Sequence, residues 1–442
     1  MIPAAAAGVA TTAEAIAAEL QRARARTLAL ADALTPEQQI AQHSPLMSPV
    51  VWDVAHVANY EEQWLVRALD RRAAIDGALD DLYDAFVHPR AERPNLPLLG
   101  PAEARAYGNR VRTEVLDLLG QVTLDDPDPN DPLARLLHEG FVYGMVIQHE
   151  HQHAETLLAT LSLMGDDAPA VPGADCTVPG ADRTVVDSTN ALDPRSVEWV
   201  RLAGGPSTQG TSEHPWALDN ERPEHLVELA EFHLARDLVT NGQWLAFVED
   251  GGYDTPSLWT EAGWRWRTEI DASLPLHWRA EGDGAMSVGR FGRRLDLAEL
   301  LAEPVQHVCA HEADAFARYA GARLPTEPEW ERAAQGASMQ GANLGQRQDG
   351  PRPVTSTPGD GEGMRGLFGD VWEWTATTFE AYPGFEAFPY AEYSEVFFGP
   401  EHRVLRGGSW ATDPVAMRAS FRNWDYPIRR QIFCGLRLAA DP

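Results

Sequence analysis

Residues 145–156 read Met145-Val146-Ile147-Gln148-His149-Glu150-His151-Gln152-His153-Ala154-Glu155-Thr156, and hold three of the chain's fourteen histidines. Apolar Leu136, Leu137, Phe141, Met145 and Val146 lie upstream, and Leu157, Leu158 and Leu161 downstream. With no proline between them, these residues predict a helix over roughly 132–164. Residues four apart on a helix share a face, so His149 and His153 point at a common centre while His151 turns away. That is a two-histidine half-site for a metal. The bland reading makes His151, Glu150 and Glu155 a solvated face. The apolar surroundings argue against it, because uncompensated polar groups are costly there.

A third ligand is available upstream. Ser48-Pro49 suits a helix start, with Ser48 as N-cap and Pro49 at the first helical position. The helix that follows runs through Val50, Val51, Val54, Val57, Trp64 and Leu65 and carries His56. A first helix is predicted over 12–34. There Ile16, Leu20, Ala23, Leu30 and Leu34 form an apolar stripe, and Glu19, Arg22, Arg24 and Arg26 fall off it. A further helix spans roughly 101–120. Four helices of this kind make a bundle, whose core accommodates metal sites built from facing helices. Between the second and third helices, the proline-broken stretch Tyr83–Pro94 reads as a loop whose Arg90 and Arg93 are candidates for a carboxylate clamp.

With 442 residues the chain is too long for one ordinary core, and two domains are expected. No apolar run approaches the length of a membrane span. The alanine-rich start, interrupted by Glu14 and Glu19 and lacking a basic lead, does not read as a signal peptide. Three widely spaced cysteines, Cys176, Cys309 and Cys434, fit a reducing cytoplasm better than a disulfide scaffold. The formal charge of −30 disfavours nucleic acid and anionic membranes as partners. All 36 basic residues are arginine, which binds carboxylates bidentately.

Residues 166–193, with Val-Pro-Gly-Ala-Asp at 171–175 and again at 178–182, read as a linker between a bundle (1–165) and a second domain (194–442). In that second domain Val197–Leu202, Leu226–Leu229 and Phe232–Leu234 look like strands. Thr240-Asn241 caps a short helix, and His311–Tyr319 and Glu327–Ala334 form two more. The mixture is α+β with much irregular chain.

Five motifs follow in order: Pro304-Val-Gln-His-Val308, Gly321-Ala-Arg-Leu-Pro-Thr-Glu-Pro-Glu-Trp-Glu331, Gly369-Asp-Val-Trp-Glu-Trp374, Arg406-Gly-Gly-Ser-Trp410 and Cys434-Gly-Leu-Arg437. Together they resemble the formylglycine-generating-enzyme (sulfatase-modifying-factor) domain, which implies a C-type-lectin-like fold. The N-terminal half resembles a DinB-like four-helix bundle, whose three-histidine metal site falls here on His56, His149 and His153. The fusion resembles the EgtB family, iron(II)-dependent sulfoxide synthases of ergothioneine biosynthesis. The segments His149–Glu155, Arg90 with Arg93, Tyr390-Ala-Glu-Tyr393-Ser and Arg422–Gln431 look like its actinobacterial, γ-glutamylcysteine-using type.

The resemblance implies Fe(II) as cofactor, with hercynine (Nα-trimethylhistidine), γ-glutamylcysteine and O2 as substrates, and it implies no obligate protein partner. Tyr390 is expected to donate a proton or hydrogen, with Tyr393 beside it. Gln152 is expected to orient hercynine, Trp424 to face its quaternary ammonium and Asn423 to assist. Arg90, Arg93 and Arg429 are expected on the carboxylates of the thiol substrate and Asp425 on its α-amine. An oxidase of the formylglycine-generating type needs a cysteine pair soon after the Arg-Gly-Gly-Ser motif, and none lies between Trp410 and Cys434. Two other readings stay open. One is a non-catalytic lectin-like binding protein, against which the histidine set argues. The other is a DinB-type zinc thiol transferase, which leaves the C-terminal half without a role.

Overall fold

A helix that must bury charged groups needs partners for them, and the first unit is built around that requirement. The computed structural model describes residues 12–70, 72–124, 133–175, 196–282, 284–357, 359 and 362–442. These divide into two compact units. The first comprises the chain up to Met164 with Ala168–Pro172 and Glu213–Trp216; the second comprises Gly165–Asp167, Gly173–Ser212 and Ala217–Pro442. Most of the expected linker, including Cys176 and the second Val-Pro-Gly-Ala-Asp, lies outside the described residues.

Four long helices form the first unit: α1 (Ala13–Asp32), α2 (Val50–Glu61), α3 (Pro101–Leu119) and α4 (Phe141–Ser162). On α1 the stripe residues Ile16, Leu20, Ala23 and Leu30 are buried, as their spacing predicts. Arg24, expected on the polar face, is buried as well. Its Nε lies 2.6 Å from Glu150 and its Nη2 2.7 Å from Glu61. Arg112 of α3 completes the cluster, with Nε 2.6 Å from Glu61 and Nη2 3.4 Å from Glu150. Two guanidinium groups and two carboxylates cancel in charge, and each helix contributes one member. Such a cluster is a weak source of net stability, but removing one member is costly, so it fixes the mutual register of the helices. Glu150 is thus a core residue and not part of a solvated face.

Two helix starts differ from expectation. Pro49 occupies the N-cap of α2, and no side chain caps it. The Ser48 hydroxyl instead accepts a hydrogen bond from Arg93 at 2.7 Å. The helix predicted over 132–164 breaks at Glu139 (φ 48°) and Gly140 (φ 70°), so that α4 begins at Phe141. The Trp216 indole N–H donates to the Glu139 carbonyl at 3.1 Å, a long-range bond that local sequence does not reveal. Gly144, one turn on, is required there: a Cβ would lie 2.2 Å from the Trp216 ring. Past Glu61, α2 runs into a π-helical turn, Glu62–Arg67.

The second unit is α+β. Its strands are β1 (Trp199–Leu202), β2 (Gly205–Gln209), β3 (His225–Leu229), β4 (Phe232–Ala235), β5 (Trp278–Ala280), β6 (Met286–Arg290), β7 (Arg293–Asp296), β8 (Trp372–Phe379), β9 (Gly399–Arg406), β10 (Asn423–Asp425), β11 (Cys434–Gly435) and β12 (Ala439–Ala440). They form sheets ordered β1-β4-β12, β10-β9-β8-β11, β2-β3 and β5-β6-β7. Every pairing among these is antiparallel except β11 on β8. The expected helices are present as Asn241–Glu249, Ala310–Tyr319 and Glu327–Ala334. Thr240 and Thr326 close capping boxes at two of these helices. Buried arginines bind the sheets to the helices: Arg406 to Glu327 and Glu331, Arg422 to Glu327, and Arg437 to Glu373.

Candidate metal centre

α2 and α4 bring His56, His149 and His153 together, with one nitrogen of each within 4.8 Å of the other two. His56 Nε2 lies 3.3 Å from His149 Nε2. Two nitrogens about 2.1 Å from one ion, separated by a right or tetrahedral angle, stand roughly 3.0–3.4 Å apart. The pair therefore already has the spacing of two ligands to a common cation.

Each imidazole is fixed from behind. His56 Nδ1 lies 2.7 Å from the Tyr83 carbonyl, an acceptor only, so the proton sits on Nδ1 and the lone pair of Nε2 faces inward. Trp52 stacks on the same ring, with centroids 4.6 Å apart and planes inclined by 13°. His153 Nδ1 lies 2.8 Å from Asp53 Oδ1, a carboxylate–histidine pair of the kind that orients ligands and raises their basicity. His149 stacks on Tyr60, with centroids 3.8 Å apart, and its Nδ1 is buried without a hydrogen-bond partner. Burial, then the nearby His153, pushes the pKa of His56 and of His149 well below the usual imidazole range. Burial thus favours neutral His56 and His149, the form a metal takes, and the three residues fit a bound divalent cation.

His151 is buried on another face, its Nδ1 3.4 Å from Arg26. Gln152 is half-buried three residues after His149 and next to His153, on the ligand face. Arg90 is half-buried and donates to the Leu46 carbonyl at 2.9 Å. Arg93 is buried, its guanidinium 3.6 Å above the centre of the Trp52 ring. It donates to Ser48 Oγ and to the His88 and Ala85 carbonyls. Arg93 thus supports Trp52, which supports His56.

The remaining candidates belong to the second unit. Tyr390 precedes and Tyr393 ends a single 3-10 turn, Ala391–Tyr393, their rings edge to face at 6.0 Å. Asn423, Trp424 and Asp425 form β10 and pair with Leu405, Val404 and Arg403. Trp424 stacks on Phe379 at 4.2 Å and 7°, with Phe397 tilted at 5.6 Å. Asp425 and Arg429 stand 3.5 Å apart.

Sequence reasoning missed Asp53, Trp52, Tyr60 and the Tyr83 carbonyl. Asp53 left a signal. It is the only charged side chain between Val50 and Tyr60, in a helix otherwise rich in valine and alanine, and such a charge needs a partner. The other three act through ring stacking or a backbone atom, which residue type does not disclose.

The first unit is thus a helical bundle whose three clustered histidines fit one metal ion. Residues 19–157 match the family model "DinB superfamily", and residues 187–442 match "Sulfatase-modifying factor enzyme 1-like domain". The chain is 42% identical to the hercynine oxygenase of Mycolicibacterium thermoresistibile, across 96% of this chain and 94% of that one. It is also 42% identical to the hercynine oxygenase of Mycobacterium tuberculosis, across 98% and 100%. The formylglycine-generating enzyme of Streptomyces coelicolor is 32% identical across 50% of this chain and 81% of that enzyme. The chain belongs to the hercynine oxygenase family, in which the two domain types are fused. Among the described residues, no helix is long and apolar enough to cross a membrane.

Proposed function

We propose that the protein is an iron(II)-dependent sulfoxide synthase joining the thiol of γ-glutamylcysteine to the imidazole C2 of hercynine. In the balanced reaction the thiol loses its S–H proton and the imidazole its C2–H. A C–S bond forms, the sulfur gains one oxygen atom, and the other leaves as water. The four electrons removed from the substrates reduce one O2. The observation that carries this reading is the tripod of three imidazoles, oriented by the Tyr83 carbonyl, Asp53 and the Tyr60 ring, in a chain related over nearly its whole length to hercynine oxygenases.

His56, His149 and His153 would hold the metal, which supplies oxygen activation and a Lewis acid that favours the thiolate. The protein's own groups do the rest. Asp53 and the Tyr83 carbonyl keep the imidazole protons on Nδ1, so no proton competes for the inward lone pairs. Gln152, next to His153 in sequence, is assigned to orient the hercynine imidazole. Trp424 offers an aromatic face to the trimethylammonium group, which has no N–H to donate, and Asn423 lies beside it. Arg90, Arg93 and Arg429 are assigned to the carboxylates of γ-glutamylcysteine and Asp425 to its α-amine. The Asp425–Arg429 pair supports that assignment, since a zwitterionic amino-acid group finds both charge partners there. Tyr390 is assigned as proton donor, with Tyr393 at its side. A reducing compartment such as the cytoplasm suits the buried, unpaired Cys309 and Cys434.

The test is mass spectrometry of iron(II)-loaded full-length protein given hercynine, O2 and either γ-glutamylcysteine or cysteine. The expected product is γ-glutamyl-hercynylcysteine S-oxide, absent with His153→Ala. Product from cysteine alone would remove the arginines from substrate binding. No product with either thiol, despite bound iron, would refute the reaction.

A further inference from the structure

The tyrosine loop is short and half-exposed, yet a proton donor must be held to within a fraction of an ångström. Its anchor is a single 3-10 turn far away in sequence, Asp219-Asn220-Glu221, whose three side chains are all buried. Asp219 grips the loop at both ends. Its Oδ1 accepts the Ser394 hydroxyl at 2.5 Å, and its Oδ2 accepts the Phe388 amide at 3.3 Å. Tyr390 and Tyr393 lie between these two points. Asn220 reinforces the grip, its Nδ2 donating to Ser394 Oγ at 2.9 Å. Ser394 is fully buried, so its hydroxyl is committed to these partners.

The same turn also holds the segment leading into β10. Glu221 pairs with Arg418 and accepts the Ser420 hydroxyl at 2.7 Å, and the Asn220 carbonyl accepts from Arg422 at 2.9 Å. One three-residue turn thus braces the loop bearing the tyrosines and the approach to Asn423, Trp424 and Asp425.

We propose that Asp219 is a positioning residue, which clamps Phe388 and Ser394 and thereby sets where Tyr390 and Tyr393 stand. The inference rests on the reaction proposed above, because it assigns the loop a catalytic purpose. Buried carboxylates are normally neutralised by a cation, as Glu221 is by Arg418. Asp219 instead spends both oxygens on one loop, which is the arrangement expected of a clamp.

Two variants of the full-length protein test it. Asp219→Asn keeps the shape but accepts with only one oxygen, and Ser394→Ala removes the hydroxyl. Amide hydrogen exchange is read in the peptide spanning 386–398, and kcat and KM are read with hercynine and γ-glutamylcysteine. Exchange in that peptide is expected to quicken roughly tenfold, as loss of one charge-assisted hydrogen bond implies. The kcat is expected to fall about tenfold or more, with both KM values within about twofold, as misplacement of a reacting group implies. Metal affinity should stay that of the wild type, since the histidines belong to the other unit. Unchanged exchange in both variants, or faster exchange with wild-type kcat, overturns the clamp. The exchange experiment needs no turnover, so a wild-type protein that makes no sulfoxide refutes the reaction separately.

Discussion

Asp53→Asn isolates what a residue outside the ligand set does for the metal. Asp53 is buried, with Oδ1 2.8 Å from His153 Nδ1 and Oδ2 lacking a hydrogen-bond partner. Asparagine has the same shape and two possible orientations. With its oxygen toward His153 the tautomer is kept, but the bond loses its charge assistance and a buried NH2 takes the place of Oδ2 with nothing to donate to. With its NH2 toward His153, Nδ1 must become the acceptor, and the proton moves to Nε2, where it blocks the lone pair meant for the metal. Both outcomes weaken binding. Losses at such positions are typically about 10–100-fold in metal affinity, or roughly 1.4–2.7 kcal/mol. Competition with a chromogenic chelator, using Fe(II) under argon and Zn(II) as a redox-inert control, measures the shift directly. The stabilisation conferred by excess metal should shrink by the same free energy. Affinity within about twofold of wild type for both ions would show that Asp53 does not orient His153.

Three further outcomes are expected. Glu150→Ala leaves Arg24 and Arg112 sharing only Glu61 in the core, and should cost about 3–5 kcal/mol in chemical denaturation; a loss below about 1 kcal/mol would place the cluster outside the register-setting role. Gly144→Ala sets a methyl 2.2 Å from the Trp216 ring and should destabilise the first unit by about 1–3 kcal/mol, visible as a lower Tm and altered tryptophan fluorescence. Burial raises the Asp219 carboxyl to about 6, with Glu221 adding to the effect against three opposing hydrogen bonds. The folded state therefore binds this proton more tightly than the unfolded one. Its contribution to stability is full below pH about 4 and lost by pH about 6, with an upper bound of roughly 3 kcal/mol. The stability of wild type minus that of Asp219→Asn should fall across this window and level off above it, and a flat difference would contradict the assignment.

The clustering of His56, His149 and His153 was legible because it obeys local rules. Helical spacing puts His149 and His153 on one face, and an apolar helix carrying one more histidine brings the third imidazole. Capping chemistry was equally readable at Thr240, where a hydroxyl and a Gln three residues on satisfy the first amides. The errors share a different cause. Ser48 has an N-cap side chain, but Arg93, 45 residues away, takes its hydroxyl. The helix before Phe141 breaks at a glutamate and a glycine, and its Glu139 carbonyl accepts from Trp216, 77 residues on. Arg24 lies off the apolar stripe yet is buried, because Glu61 and Glu150 arrive from other helices to neutralise it.

Sequence alone thus determined the helical periods, the histidine face, the turn chemistry and the family motifs, since each depends on groups a few residues apart whose geometry the backbone fixes. Tertiary structure decided which polar groups find partners. It paired Asp53 with His153, laid Trp52 and Tyr60 against the ligand rings, and brought Asp219 to both ends of the tyrosine loop across some 170 residues. Burial makes an unpartnered charge or hydrogen-bonding group costly, so these pairings are strongly selected in the fold. They are nonetheless invisible along the chain, because the identity of a partner depends on which elements the whole core brings together.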